Sequence, residues 1–234
     1  MMEFRSFGRR RGRKLRPYQS EVYSNLLPKL ALDIPEDGQW DPRQAFVAPN
    51  LPLNLEIGFG RGEYLFQRSL LFPEQNFIGA EPYENGVAKL LTSISEHYSD
   101  EDESGCNIRL LVDDVRDLIG KMPNKCLDRI DIPFPDPWPK ARHHRRRLIN
   151  KSLLQQISRV LSDGGQLCIA TDHEDYLESI LAHMQQFPEF EWQATQASDW
   201  QQPWYGIQTR YAEKALRAGR RGHYLSFRLL SRES

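Results

Sequence analysis

A chain of 234 residues, 39% of them hydrophobic, can bury one good core with some material to spare, so a single domain is the expectation. Its net charge of −1 excludes a general polycation, yet the charges are segregated: seven of the first sixteen residues are Arg or Lys, and Asp100–Glu103 is an acidic run. Cys106, Cys126 and Cys168 form no CxxC and are odd in number, which argues against a disulfide framework or zinc ribbon and fits a reducing cytoplasm; no apolar run of about 18 residues is available to span a membrane.

Phe4–Pro17 (FRSFGRRRGRKLRP) is too polar to offset its ordering entropy by burial and lacks the apolar core of a secretory signal. It reads as a mobile arm, either a solubilising tail or a segment that seeks phosphates. Tyr18–Leu32 has helical spacing at Val22, Leu26, Leu27 and Leu30, interrupted by Pro28, and Asp33–Asn50 reads as a connector. The expected organisation is an arm over 1–17, a helix and connector over 18–50, and the main domain over 51–234.

Leu51–Ile57 is a short apolar strand followed by Gly58-Phe59-Gly60-Arg61-Gly62 and by a helix from Glu63 to Phe72, stopped at Pro73. Strand, glycine turn and helix open a βαβ unit, in which the glycines let the backbone approach a nucleotide and the helix amides point at it. Asn76–Ala80 is a second strand, ending at Glu81, and Asn85 is placed to cap a helix with Val87, Leu90, Leu91 and Ile94 on its apolar face. Ile108–Val112 and Leu127–Phe134 are the next strands, the first running into Asp113 and Asp114. Asn150 starts a helix buried through Leu153, Leu154, Ile157, Val160 and Leu161, with Gly164-Gly165 as its stop. Gln166–Thr171 is a strand ending at Asp172, a helix runs from Asp175 to Phe187, and Phe190–Ala194 is a sixth strand. After a Trp/Pro/Gly-rich loop at Trp200–Gly206 come a helix over Thr209–Gly219, carrying Arg210, Lys214 and Arg217, and a closing strand at His223–Leu230.

This alternation predicts an α/β, Rossmann-like domain: a mostly parallel seven-stranded sheet with helices on both faces. The carboxyl ends of parallel strands share one edge, so Glu81, Asp113 or Asp114, Asp136 and Asp172 are placed to line one cleft. The competing reading, that one or two of these acids are ordinary helix caps, stays open.

The most distinctive stretch is Asp131–Arg147, DIPFPDPWPKARHHRRR. Pro135, Pro137 and Pro139 lack backbone donors, so the chain must leave the sheet there. It presents Asp136 between two prolines, then Trp138, Lys140 and a basic run containing Arg142, Arg145, Arg146 and Arg147. A fixed carboxylate, an indole and a cationic surface suit an electron-poor ring carried on a polyanion. Trp138 either stacks on a base or packs the loop. His143 and His144 have no third ligand at useful spacing and read as basic surface, with no metal implied.

A GxGxG turn alone also suits nicotinamide and flavin enzymes. Glu56, two residues before the first glycine, makes the pattern ExGxG, which resembles the first motif of class I S-adenosylmethionine-dependent methyltransferases. With SFGRRRGRKL, LEIGFGRGEYL, FIGAEPYENGV, FPDPWPKARHHRRR, ATDHEDY and TRYAEKALRAGR in order, the chain resembles the bacterial tRNA (guanine-N7)-methyltransferases over nearly its whole length. That resemblance implies S-adenosyl-L-methionine as cofactor and tRNA as partner, with methylation of a guanosine at N7, conventionally position 46. A cytoplasmic protein, monomer or homodimer, is expected, and the sequence leaves the choice between those two states open.

The resemblance places Glu56, Gly58, Gly60, Gly62, Glu81 and Asp114 at the cofactor, Asp136 at the catalytic position, and Lys140, Asp172 and the segment from Thr209 at the substrate. The family has Thr-basic-aromatic-Glu there, whereas this chain has Thr209-Arg210-Tyr211-Ala212 with Glu213 one place later. Either Glu213 substitutes through a shifted backbone or the chain does without that interaction. Arg142, Arg145, Arg146 and Arg147 would hold phosphates together with the arm. N7 of guanine has a lone pair and no proton, so transfer needs in-line positioning and no general base; Asp136 would act either electrostatically or by gripping the guanine edge. Two competing readings are a non-catalytic RNA-binding or assembly protein on the same fold and a nicotinamide-dependent oxidoreductase. Neither explains the acidic turn and the basic loop together.

Overall fold

The segment LNLEI is buried at every position and forms β1 (Leu53–Ile57), as a strand covered on both faces should. The computed structural model describes residues 8, 10–98 and 106–231. The first part of the expected arm, residues 1–7 and 9, and the acidic run at 100–103 lie outside the described residues. The chain divides into two compact units, Met1–Pro123 and Asn124–Ser234.

In the first unit β1 pairs in parallel with β2 (Asn76–Ala80), which pairs in parallel with β3 (Ile108–Leu111). Parallel neighbours need crossovers, and α2 (Glu63–Leu71) and α3 (Glu84–His97) supply them. α1 (Pro17–Leu30) lies against α3, so that Val22, Leu26 and Leu30 share a core with Val87, Leu90 and Ile94. Pro28 does not interrupt α1 as expected, because it sits in the last turn and the helix continues to Leu30. Asn85 does not cap α3: Tyr83 holds the N-cap position, and Asn85 lies inside the helix with its side chain turned to residues 12 and 13. A further helix, α4 (Val115–Lys121), follows β3.

In the second unit β4 (Leu127–Pro133) pairs in parallel with β5 (Leu161–Thr171), and β7 (His223–Leu229) lies antiparallel to β5 and to β6 (Phe190–Trp192). The seven strands among the described residues are thus mostly parallel and alternate with helices, the α/β class expected. Asn150 accepts from the Leu153 N–H at 3.1 Å and caps α5 (Lys151–Val160). That helix stops at Val160, earlier than the Gly164-Gly165 pair suggests. The glycines serve β5 instead, near a register shift against β4, with Gly164 at a φ of 79°. α6 (Glu174–Met184) and α7 (Arg210–Arg217) complete the unit.

One buried ion pair lies on β4. Asp131 has 0% exposure, and Arg129 donates through Nε to its carboxylate at 2.9 Å while its guanidinium lies 5.3 Å from the Tyr205 ring. Breaking such a pair leaves a charge without its partner in a dry interior, which costs about 3–5 kcal/mol. Asp131→Ala is therefore expected to lower the urea midpoint by an amount equivalent to about 3 kcal/mol, measured by circular dichroism.

Candidate active site

The first unit carries the residues assigned to the cofactor. As the chain leaves β1, Gly58, Gly60 and Gly62 adopt φ of 74°, 60° and 78°, the left-handed region that side chains avoid. Gly62 N-caps α2, and a Cβ there would lie 2.7 Å from the Leu90 side chain, so strain and crowding both demand glycine. A Cβ at Gly58 would meet nothing within 4 Å among the described residues, which leaves room over the turn.

Glu81 fastens this turn. Its Oε2 accepts from the Gly60 N–H at 2.8 Å, and its Oε1 accepts from the Tyr83 N–H at 2.9 Å. A carboxylate oxygen carries two lone pairs, so a ribose hydroxyl can share an acceptor that already serves the turn. Glu56 is buried on β1, paired in register with Gly79 of β2. Asp114 is a helix cap as well as a strand-end acid: it accepts from the Arg116 N–H at 3.1 Å and forms an ion pair with the Arg116 guanidinium. Burial disfavours its charge, but the Arg116 hydrogen bonds outweigh that and hold its carboxyl below the usual range. The set of open glycine turn, buried carboxylates and ionised Asp114 fits a nucleoside that brings hydroxyl and amino donors together with a positive charge.

Sequence reasoning missed Gly86. A Cβ there would come within 2.0 Å of the Gly60 carbonyl oxygen, so α3 can approach the turn this closely only without a side chain. Its signal was the position of a glycine inside the first turn of a helix, where glycine normally costs stability. Described residues of the expected arm meet this same helix start and the segment that follows β3. The Gly12 N–H donates to Asn85 Oδ1 at 2.7 Å, Arg10 pairs with Asp113 at 2.7 Å, and Arg11 pairs with Glu84 at 2.8 Å.

The second unit carries the residues assigned to the substrate. Phe134 follows β4 with its N–H bonded to the Ala170 carbonyl at 2.8 Å, and Asp136 is exposed two residues later. Trp138 lies 5.0 Å beneath the Arg146 guanidinium and edge-on to His143 at 5.9 Å, so the indole packs within the loop. Lys140, Arg142 and Arg145 are exposed, Arg146 is partly covered, and Arg147 is buried; Arg147 is therefore no part of the cationic surface expected of the basic run. Desolvation first, and then the surrounding cations, hold His143 below the usual imidazole range, so it is neutral at pH 7.

Asp172 directly follows β5 and accepts from Arg220 Nε at 2.8 Å. Thr209 caps α7, its Oγ1 accepting from the Ala212 N–H at 3.1 Å, while Arg210 is exposed. Ala212 is 4% exposed and points into the core, whereas Glu213 is exposed and lies 3.7 Å from Arg217. Neighbouring helix positions differ by about 100°, so Glu213 faces a different direction from Ala212.

Gly86→Ala is expected to push the Gly60 carbonyl aside at a cost of about 1–3 kcal/mol. Calorimetry should then find affinity for S-adenosylmethionine, the cofactor that the sequence resemblance implies, reduced by about tenfold or more, with the helical circular dichroism signal retained.

A family model described as putative methyltransferase matches residues 50–225. The tRNA (guanine-N(7)-)-methyltransferase of Rhodopseudomonas palustris (strain BisB5) is 46% identical over 96% of this chain and 86% of its own. That of Nitrobacter hamburgensis is 45% identical, over 95% and 85% respectively. Among solved structures, the 16S rRNA methyltransferase KamB aligns with a TM-score of 0.54 at 11% identity, covering 77% of this chain and 88% of that one. The fold is thus that of methyltransferases, and the chain belongs to the tRNA (guanine-N7)-methyltransferase family.

Proposed function

We propose that this protein transfers a methyl group from S-adenosylmethionine to N7 of a guanosine in tRNA, at position 46 of the variable loop. The observation that carries this reading is Asp136, an exposed carboxylate on a loop that leaves β4, with the exposed cations Lys140, Arg142 and Arg145 farther along the same segment. S-adenosylmethionine, when bound, supplies a sulfonium-activated methyl group that a lone pair can take directly.

Glu56, Glu81, Asp114 and the glycines Gly58, Gly60 and Gly62 are the residues proposed to hold that cofactor, with the turn backbone and α2 facing it. Asp136 meets the guanine. A carboxylate there stabilises the positive charge that spreads onto the purine as N7 is alkylated, and it needs no proton to do so. In-line approach at about 3–3.5 Å is the remaining requirement, and a stiff loop serves it better than a mobile one. Lys140, Asp172, Thr209, Arg210 and Glu213 are proposed to hold the nucleotide around it, and Arg142, Arg145 and Arg146 the phosphates. The buried thiols of Cys106, Cys126 and Cys168 suit a reducing cytoplasm, and no helix among the described residues is long and apolar enough to cross a membrane.

The test is methyl transfer from labelled S-adenosylmethionine to unmodified bulk tRNA, followed by nucleoside analysis. We expect 7-methylguanosine as the product; its absence despite cofactor binding would overturn the substrate reading. Asp136→Ala should reduce kcat by at least about a hundredfold, with the melting temperature nearly unchanged because the residue is exposed. Replacing Arg142 and Arg145 by Ala should raise the tRNA KM and flatten its dependence on KCl, by about one in the logarithmic slope for each phosphate no longer neutralised.

A further inference from the structure

Arg147 closes the basic run, yet it is only 6% exposed. Each of its three guanidinium nitrogens has a partner. Nε donates to the Pro137 carbonyl at 2.9 Å, Nη2 donates to Asp175 Oδ2 at 2.7 Å, and Nη1 donates to the Asp175 main-chain carbonyl at 3.3 Å. Below it lies the Tyr176 ring at 4.8 Å, and the Tyr176 hydroxyl accepts from the Ile149 N–H at 3.1 Å. Tyr176 is fully buried, and burial pushes its phenol up to about 12, so it stays neutral beneath the cation. The other Asp175 oxygen lies 2.9 Å from His173 Nδ1.

These interactions tie together the neighbours of two assigned site residues. Pro137 follows Asp136, and His173 follows Asp172. The loop has few N–H groups of its own because of its prolines, so its carbonyls are the handle by which it can be held. A planar guanidinium with donors in several directions can hold one carbonyl and one carboxylate at once; an ammonium at the end of a flexible stem cannot reproduce that fork.

We infer that Arg147 is a positioning residue: it fixes the backbone that carries Asp136 to the start of α6 beside Asp172, and it does not contact phosphate. This rests on the proposed methyl transfer with Asp136 at the guanine. The alternative, that Arg147 is one more phosphate ligand, makes the opposite prediction for a lysine in its place, because Lys keeps the charge.

The experiment compares Arg147→Lys and Asp175→Asn with the unmodified protein, recording kcat, tRNA KM, the KCl dependence of KM, and melting temperature. Arg147→Lys is expected to lower kcat by about tenfold or more, since a misplaced catalytic group costs rate, while the tRNA KM and its salt slope stay within about twofold of the original. Asp175→Asn, which alters a half-exposed partner of the same fork, should lower kcat in the same direction and by less. A lysine variant with unchanged kcat overturns the inference, as does an effect confined to KM with a flatter salt slope. Should Arg147→Lys fail to fold, Asp175→Asn decides alone: a lowered kcat at unchanged salt slope supports the inference, and an unchanged kcat overturns it. No 7-methylguanosine from the unmodified protein would overturn the proposed reaction itself, a result separable from any comparison among variants.

Discussion

Prolines at 135, 137 and 139 place a physical demand on the second unit: a loop that must be rigid has been deprived of most of the hydrogen-bond donors that rigidify loops. The solution uses what remains. Phe134, between Pro133 and Pro135, commits its N–H to the Ala170 carbonyl, and Arg147 reaches in from beyond the loop to the Pro137 carbonyl. Trp138 is held between Arg146 and His143 by ring contacts that need no backbone donor at all. Asp136 is left exposed on a scaffold held from both sides of it.

The first unit meets a comparable demand in the reverse manner. Its glycine turn is rich in donors and poor in intrinsic preference, and a single carboxylate, Glu81, gathers two backbone donors at and beside it. Hydrogen bonds to a charged acceptor are stronger than neutral ones, so one short side chain fixes a turn that three glycines would otherwise leave loose. Gly86 completes the arrangement by letting α3 come within contact of the Gly60 carbonyl. Side chains organise backbone in both units, with a cation gripping carbonyls in one and an anion gripping amides in the other.

Much of this was legible in the sequence because hydrophobic runs and glycine or proline punctuation act locally. β2 lies where the apolar run Asn76–Ala80 predicts it, and the other strands differ from their sequence spans mainly by a residue or two at the ends, apart from β5, which starts five residues earlier. α4 was invisible, since seven residues give barely two turns of periodicity. Gly164-Gly165 misled because a glycine pair stops a helix or bends a strand equally well, and only the register of β5 against β4 separates the two. Asn85 misled for a related reason: its amide prefers to serve backbone, and it serves residues 12 and 13 of a distant segment rather than its own helix. Arg147 could not be told from Arg145 by sequence, because a charge run is read as solvated until something is found lying over it.

Phe134 and Trp138 adopt φ of 51° and 44°, a backbone region in which bulky side chains are strained by about 1–3 kcal/mol each. Glycine at either position would relieve that strain and would also remove the ring that packs the loop. Strain and packing are thus bound to one another at both positions, so a more heat-stable descendant of this chain would have to find its gains away from the loop around Asp136.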